Sequence, residues 1–426
     1  MRILLASGAS YLPPRGGATR SNLTWLKRLA AAGHECRAVV GALASDEARR
    51  LQLVQERISF RFRAGADGVE EAEHEGVILF SCRDPARRLR MLGAQIAEFR
   101  PHWVLVSSED LGHVLLREAF RRAPGRVVYL AHTPQWFPFG PESWNPDPEA
   151  TALLATAAAI VAIGRHMARY IETHLGRPAA VIHPPIYPPP PWPRWGRFGE
   201  GFLVIVNPCA VKGISIFLEL ARRFPDEPFA VVPGWGTTSA DRQALAALSN
   251  VTFLPNFANI EDLFARTRVL LMPSLWYEGF GLTAMEAMLC GVPVLASDSG
   301  GLLEAMEGTG GVVPVRPIAR YEPDYDEHGL PRPVFAPTDI GPWEQALARL
   351  LHDREAYEQA ADTARRRAER FVSGIDPDEM ERFLTGLKPS EIRDAKPARP
   401  GVETLSPRQR ALLLERLKQR RAESEP

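Results

Sequence analysis

The feature that most constrains this chain is an alternation it runs through twice. The short apolar segments RILLAS, CRAVVG, GVILFS, WVLVSS, VVYLAH and IVAIG are separated by longer amphipathic stretches, and TRSNLTWLKRLAAAG, with helical spacing, follows the first of them. Short strands that are apolar on both faces, alternating with helices, predict a parallel sheet covered by helices. The pattern stops at HPPIYPPPPWPRWG, residues 183–196. Proline continues neither a helix nor a sheet, so a semi-rigid linker is expected there. The alternation restarts with FLVIVN, FAVVPG, VTFLP, VLLMPS and PVLAS. Two α/β halves on a stiff linker imply a cleft between them. The boundaries are read as 1–187 for the first half, 188–199 for the linker and 200–371 for the second half. A helix at 372–387 is expected to return to the first half, and 388–426 reads as a flexible tail with a short terminal helix. The Pro-rich stretch 316–342 is expected to be a long surface loop, followed by helices near 343–371 and 376–387.

A chain of 426 residues fits two domains, and 45% hydrophobic with 24% charged residues is enough to bury large cores. The formal net charge is zero. That argues against nucleic-acid binding and against a polybasic membrane role, both of which need clustered Lys and Arg. Cys36, Cys82, Cys209 and Cys290 lie far apart with no CxxC, which reads as reduced, buried thiols in a cytoplasmic protein. MRILLASGAS is too short and too soon interrupted for a signal peptide, and no run of about 18 apolar residues predicts a membrane span.

The stretch VLLMPSLWYEGFGLTAMEAMLCGVPVLAS concentrates the chemistry. A strand should end near Ser274, a loop should carry Glu278, Gly279 and Gly281, and a helix should start near Leu282 or Thr283. Ligands of open α/β sheets bind beyond the carboxyl ends of the strands. Glycines there admit a ligand close to the backbone, and the first amides of the helix suit a phosphate or diphosphate. Glu286, one turn into that helix, can accept from two neighbouring sugar hydroxyls, while Glu278 lies on the other side of the phosphate position. Hydroxyls at both ends and phosphates between them describe a nucleotide sugar. Met285, Ala287 and Met288 read as core.

EGFGLTAMEAMLCGVPVLASDSGG closely resembles the E-x7-E signature of the family 4 glycosyltransferases, with PPRGGATRSNLTWLKRLAAAGHE similar to their glycine loop and AVKGISIFLELARRF to their phosphate loop. The resemblance covers roughly residues 1–387. It implies an α/β chain of the GT-B fold, with an acceptor-side and a nucleotide-sugar-binding Rossmann-like domain facing each other across a cleft, and a retaining transferase. On this resemblance Glu286 binds the nucleotide ribose and Glu278 the transferred sugar. Gly281, Leu282 and Thr283 offer amides to the diphosphate, Lys212 neutralises it as the sugar leaves, and Gly16 and Gly17 lie close to donor and acceptor. His132, at the end of a strand, is placed near the transferred sugar. The family's usual arginine five residues before the lysine is replaced by Asn207, which is expected to bind the donor through neutral hydrogen bonds only, so another group, Arg165 or Arg15 among them, is expected to supply that charge, or the diphosphate is held more weakly.

Trp136 and Phe137, with Phe139 and Trp144, either form an apolar acceptor surface or pin their Pro-rich loop. The Asp-x-Asp pairs Asp324–Asp326 and Asp376–Asp378 are too cheap a pattern to assign, so neither metal nor cofactor is expected beyond the nucleotide diphosphate sugar and a hydroxyl-bearing acceptor. Ser406, Pro407 and Gln409 start a terminal helix. LSPRQRALLLERL resembles segments beside nonribosomal peptide and polyketide modules, which implies tailoring of such a product with the tail docked to a megasynthase. A polysaccharide or glycolipid acceptor, and a non-catalytic nucleotide-sugar-binding scaffold, remain the alternatives.

Overall fold

The computed structural model describes residues 1–14, 16–42, 61–63, 69–257 and 259–389. Arg15 and the terminal segment with its expected docking helix lie outside the described residues. Among the described residues the first half holds nine strands: β1 (Arg2–Ser10), β2 (Glu35–Gly41), β3 (Arg61–Arg63), β4 (Val69–His74), β5 (Val77–Cys82), β6 (Trp103–Ser107), β7 (Val127–Ala131), β8 (Ala159–Ala162) and β9 (Ala180–Val181). Their spatial order is β3-β4-β5-β2-β1-β6-β7-β8-β9, parallel except at β3–β4 and β4–β5. The second half is a parallel sheet of β10 (Phe202–Val206), β11 (Phe229–Val232), β12 (Val251–Phe253), β13 (Thr267–Met272), β14 (Val294–Ser297) and β15 (Val312–Val313). Its order, β12-β11-β10-β13-β14-β15, is that of a doubly wound dinucleotide-binding sheet.

These orders position the site. In each sheet the first strand is followed on one side by its successor and on the other by a later strand, so a crevice opens where the winding reverses. In the first sheet that crevice lies beyond β1 and β6, and in the second beyond β10 and β13. The eleven apolar runs singled out in the sequence all become strands. The inner strands are buried on both faces, as a two-sided parallel sheet requires, and every residue of β6 and β7 is buried, whereas the edge strand β12 is half-buried to exposed.

Helix Gly17–Ala31 turns Leu23, Trp25, Leu26 and Leu29 inward at helical spacing. They belong to one apolar cluster that continues into the second half through Ala284, Met285 and Met288 and ends at Met380 and Leu384. Met285 and Met288 are fully buried, each stabilising the fold by about 1.5–3 kcal/mol. The final helix, Glu379–Gly386, packs back on the first half. Leu384 O accepts from Trp103 Nε1 at 2.9 Å, and Asp378 and Glu381 meet Arg28 and His34.

Two expectations are corrected. The stretch 316–342 is not an irregular loop throughout. It contains an antiparallel hairpin of β16 (Arg320–Tyr325) and β17 (Pro331–Val334). Pro323, Pro331 and Pro333 are tolerated because both strands are edges, where a missing N–H need not break a ladder. The helix expected at 343–371 is two, Gly341–His352 and Arg354–Ser373. Asp353 divides them, its extended backbone ending the first and its carboxylate accepting from Ala356 N to cap the second. No helix among the described residues is long and apolar enough to cross a membrane, and the four cysteines are free and buried.

Candidate active site

Two helix starts meet across the cleft. Gly281 precedes helix Leu282–Leu289 with φ 107°, and Gly16 precedes Gly17–Ala31 with φ 89°, both in the region that a Cβ disfavours. Neither start has a side-chain cap, so the first amides of both helices remain available to a ligand. At Gly17 a Cβ would come within 2.8 Å of Leu282 Cδ1. The two glycine loops therefore face each other, with Leu282 and Thr283 opening the second helix.

Lys212 follows β10 and Glu278 follows β13, the two strands at the winding reversal of the second sheet. Lys212 Nζ donates to Glu278 Oε1 at 2.5 Å and lies 4.3 Å from the ring centre of Trp276. Ser274 Oγ donates to the same oxygen at 2.5 Å. Burial opposes ionisation of Glu278, yet the adjacent ammonium and these hydrogen bonds hold its carboxyl below the ordinary value. The residue is therefore a carboxylate beside a paired cation, able to accept from sugar hydroxyls. Ser274 and Trp276 were not singled out in the sequence, because a serine and a tryptophan beside a glutamate carry no spacing signal.

Glu286 is 5% exposed, and Arg20 Nη2 donates to its Oε1 at 2.6 Å from the other half of the chain. Its Oε2 is buried and has no hydrogen-bond partner. A buried carboxylate oxygen without a donor is costly, and a ligand hydroxyl is the donor it calls for. Arg20 was missed in sequence, although GGATR places it one turn into the helix that the glycine pair opens. Asn207 is buried, and its Nδ2 donor has no hydrogen-bond partner. Its Oδ1 accepts from Gly236 N at 2.9 Å, so it braces the Gly234–Thr237 loop after β11. Arg165 is paired with Glu304 and Glu307, at 3.3 and 2.8 Å.

His132 ends β7 and is buried. Its Nε2–H donates to Asn22 Oδ1 at 2.8 Å, while Asn22 Nδ2 donates to Tyr11 and Ser107. Burial pushes the imidazole down to about 3, so it is neutral at physiological pH, and its Nδ1 has no partner. Its backbone carbonyl abuts Gly279, which brings the end of β7 against the acidic loop. Phe137 is not an acceptor surface. It is fully buried among Tyr129, Phe139 and Tyr170, because the loop after β7 folds inward over its own sheet. Trp136 is half-buried in the same loop, its carbonyl facing His113. Trp144 instead crosses to the second half, 6.1 Å from Trp276 and 5.7 Å from Tyr321 of the hairpin.

Beyond β6 lies a group absent from the sequence reading. Glu109 is 9% exposed, its Oε2 3.4 Å from the hydroxyls of Ser7 and Ser107, and burial pushes its carboxyl up to about 7 from 4.5. Between those values the folded chain holds a proton that the unfolded chain has released. The stability this group contributes is full below about pH 4.5 and is lost as pH rises through about 7. Glu109→Gln is thus expected to match the parent near pH 4 and to be more stable by about 2–3 kcal/mol at pH 8. Urea unfolding at both pH values checks this; a difference that does not grow with pH would contradict it.

Among the described residues no group of three or more His, Cys, Asp or Glu is placed to hold a metal ion. Asp324 pairs with Arg332, and Asp376 and Asp378 pair with Arg382 and Arg28.

Comparison with known proteins gives two matches that divide the chain as its sheets do. The family described as Glycosyltransferase Family 4 matches residues 15–188, and that described as Glycosyl transferases group 1 matches 202–353. The D-inositol 3-phosphate glycosyltransferase of Mycobacterium avium is 32% identical over 151 residues, 33% of this chain and 31% of the relative. The MMP alpha-(1->4)-mannosyltransferase of Mycolicibacterium hassiacum is 28% identical over 190 residues, 42% of this chain and 41% of the relative. The matched region spans about a third of the first of these curated relatives. Among solved structures, Anabaena Alr3699/HepE in complex with UDP and glucose is similar with a TM-score of 0.62 at 20% identity, covering 91% of this chain and 100% of that one. Sucrose-phosphate synthase from Thermosynechococcus elongatus is similar with a TM-score of 0.66 at 16% identity, covering 90% and 98%. Both likenesses concern the fold, two α/β domains in the GT-B arrangement.

Proposed function

This chain belongs to the family 4 glycosyltransferases, and from that premise we propose that it moves a glycosyl unit from a nucleotide diphosphate sugar to an acceptor hydroxyl with retention at the anomeric carbon. The observation that carries the reading is the pairing of Lys212 with Glu278 at the winding reversal of the second sheet, beside an uncapped helix start that faces Gly16 and Gly17. A diphosphate at the amides of Leu282 and Thr283 places a ribose towards Glu286 and the sugar towards Glu278. In the reaction the bond from the anomeric carbon to the phosphate oxygen breaks and a bond to the acceptor oxygen forms on the same face. The acceptor proton passes to the departing phosphate. Negative charge grows on that phosphate, where Lys212 and the helix dipole are already oriented to meet it. Glu278, kept ionised, accepts from hydroxyls of the sugar. His132 is neutral and serves by hydrogen bonding and shape. Contact between the two halves at Gly17–Leu282 and His132–Gly279 excludes water from the reacting carbon.

Relatives named for inositol phosphate and mannosyl transfer make polyol and glycan hydroxyls the first acceptor class to assay, with peptide- and polyketide-borne hydroxyls the second. A panel of UDP-, GDP- and ADP-sugars, scored for thermal stabilisation and for slow donor hydrolysis, tests the proposal. One donor is expected to do both, and the released sugar should keep the donor's anomeric configuration when first observed by NMR. No stabilisation and no hydrolysis by any of them, with either acceptor class present, would sink it.

A further inference from the structure

The two acidic residues of the cleft are matched by two cations from opposite halves of the chain. Lys212 stands at the Glu278 end, on the same half. Arg20 stands at the Glu286 end and comes from the other half. Arg20 gives one N–H to Glu286 Oε1, and among the described residues its guanidinium forms no other hydrogen bond. Its side chain is 37% exposed, so the guanidinium is not sealed inside the contact with Glu286. It sits one turn into the helix whose first residue, Gly17, touches Leu282, and Glu286 sits one turn into the helix that Leu282 begins. A diphosphate running between Glu286 and Glu278 therefore has a guanidinium at its nucleoside end and an ammonium at its sugar end. Against the two carboxylates alone a diphosphate would be repelled, so both cations are needed for its charge to be met.

Resting on the donor reading above, we propose that Arg20 is a nucleotide-binding residue that contacts the phosphate next to the nucleoside, while Lys212 serves the phosphate that carries the sugar. The two cations that meet the phosphates then come from different halves of the chain, and binding of the nucleotide ties the two halves together through Arg20. A guanidinium suits this position because its forked donors can keep Glu286 with one arm and take a phosphate oxygen with another.

The test compares a nucleoside monophosphate, which has only the first phosphate, with the diphosphate, using the base that binds the native chain. Arg20→Gln is expected to weaken both by the same factor, about 10- to 100-fold for a lost charge-assisted hydrogen bond. Lys212→Ala is expected to weaken the diphosphate alone. Because Arg20→Gln also strips Glu286 of its partner, it is measured in a Glu286→Gln background as well, where the loss on the monophosphate should persist and Arg20→Lys should restore part of it. Monophosphate affinity unchanged within threefold in that background would overturn the proposal and leave Arg20 as a partner of Glu286 only. If the native chain binds no nucleotide at all, it is the donor reading that fails.

Discussion

Lys212→Ala is expected to lower kcat by about 10²- to 10³-fold, the loss seen when one preorganised group is removed from a developing oxyanion. The lysine is only 18% exposed and its ammonium is fixed from two sides, by Glu278 Oε1 and by the face of Trp276. On the proposed mechanism, it would meet the leaving phosphate with no reorganisation during the reaction. The same substitution strands Glu278 as a buried carboxylate with one hydroxyl, at a cost of about 3 kcal/mol. The two effects separate in the double variant Lys212→Ala/Glu278→Gln. Its unfolding midpoint should return towards the parent value, while turnover stays well below that of Glu278→Gln alone. Recovery of turnover together with stability would mean that the lysine acts only by holding the fold.

The second large effect is expected at Gly279. A Cβ built there would run into the carbonyl oxygen of His132 and come within 3.0 Å of Ile163 Cδ1, both in the first half of the chain. Backbone cannot yield as a side chain can, so Gly279→Ala should hold the two halves apart at the sugar end of the cleft. A displacement of about 1 Å between reacting groups costs on the order of 10²-fold in rate, and kcat/KM should fall by that amount. Nucleoside affinity should change less, since Glu286 and Arg20 lie one turn further into their helices. Steady-state kinetics beside nucleoside titration measures both. An alanine variant with parental kcat/KM would show that the contact is not maintained during turnover.

The parts of this molecule that were legible in the sequence are those whose signal is local. Strands such as VLLMPS announce themselves by composition, and Glu278 and Glu286 by the glycines between them. Arg20 was not legible, because its partner is 266 residues away and nothing in GGATR says which face of the helix meets the second domain. Phe137 looked like a surface aromatic because it lies among prolines, yet a loop that folds over its own sheet buries what it carries. The hairpin at Arg320–Val334 was hidden by the prolines that make its edges unsociable. Asp353, in HDREA, was legible as a helix cap and was passed over within a longer periodic stretch. Glu109 illustrates the limit most clearly: one carboxylate among many in the sequence, it is distinguished only by the depth at which β6 sets it.

The last helix has a consequence for how the molecule is made. The first domain's Trp103, Arg28 and His34 take their partners from residues 378–384, which leave the ribosome only after the whole second domain. Synthesis therefore delivers an N-terminal half with one flank unfinished, and that flank is sealed by residues that emerge after the second sheet is complete. A gene fragment cut at the linker would encode a body lacking its own closing piece, so the natural seam for dissecting this protein is a discontinuous one, with residues 376–387 grafted back onto the first half.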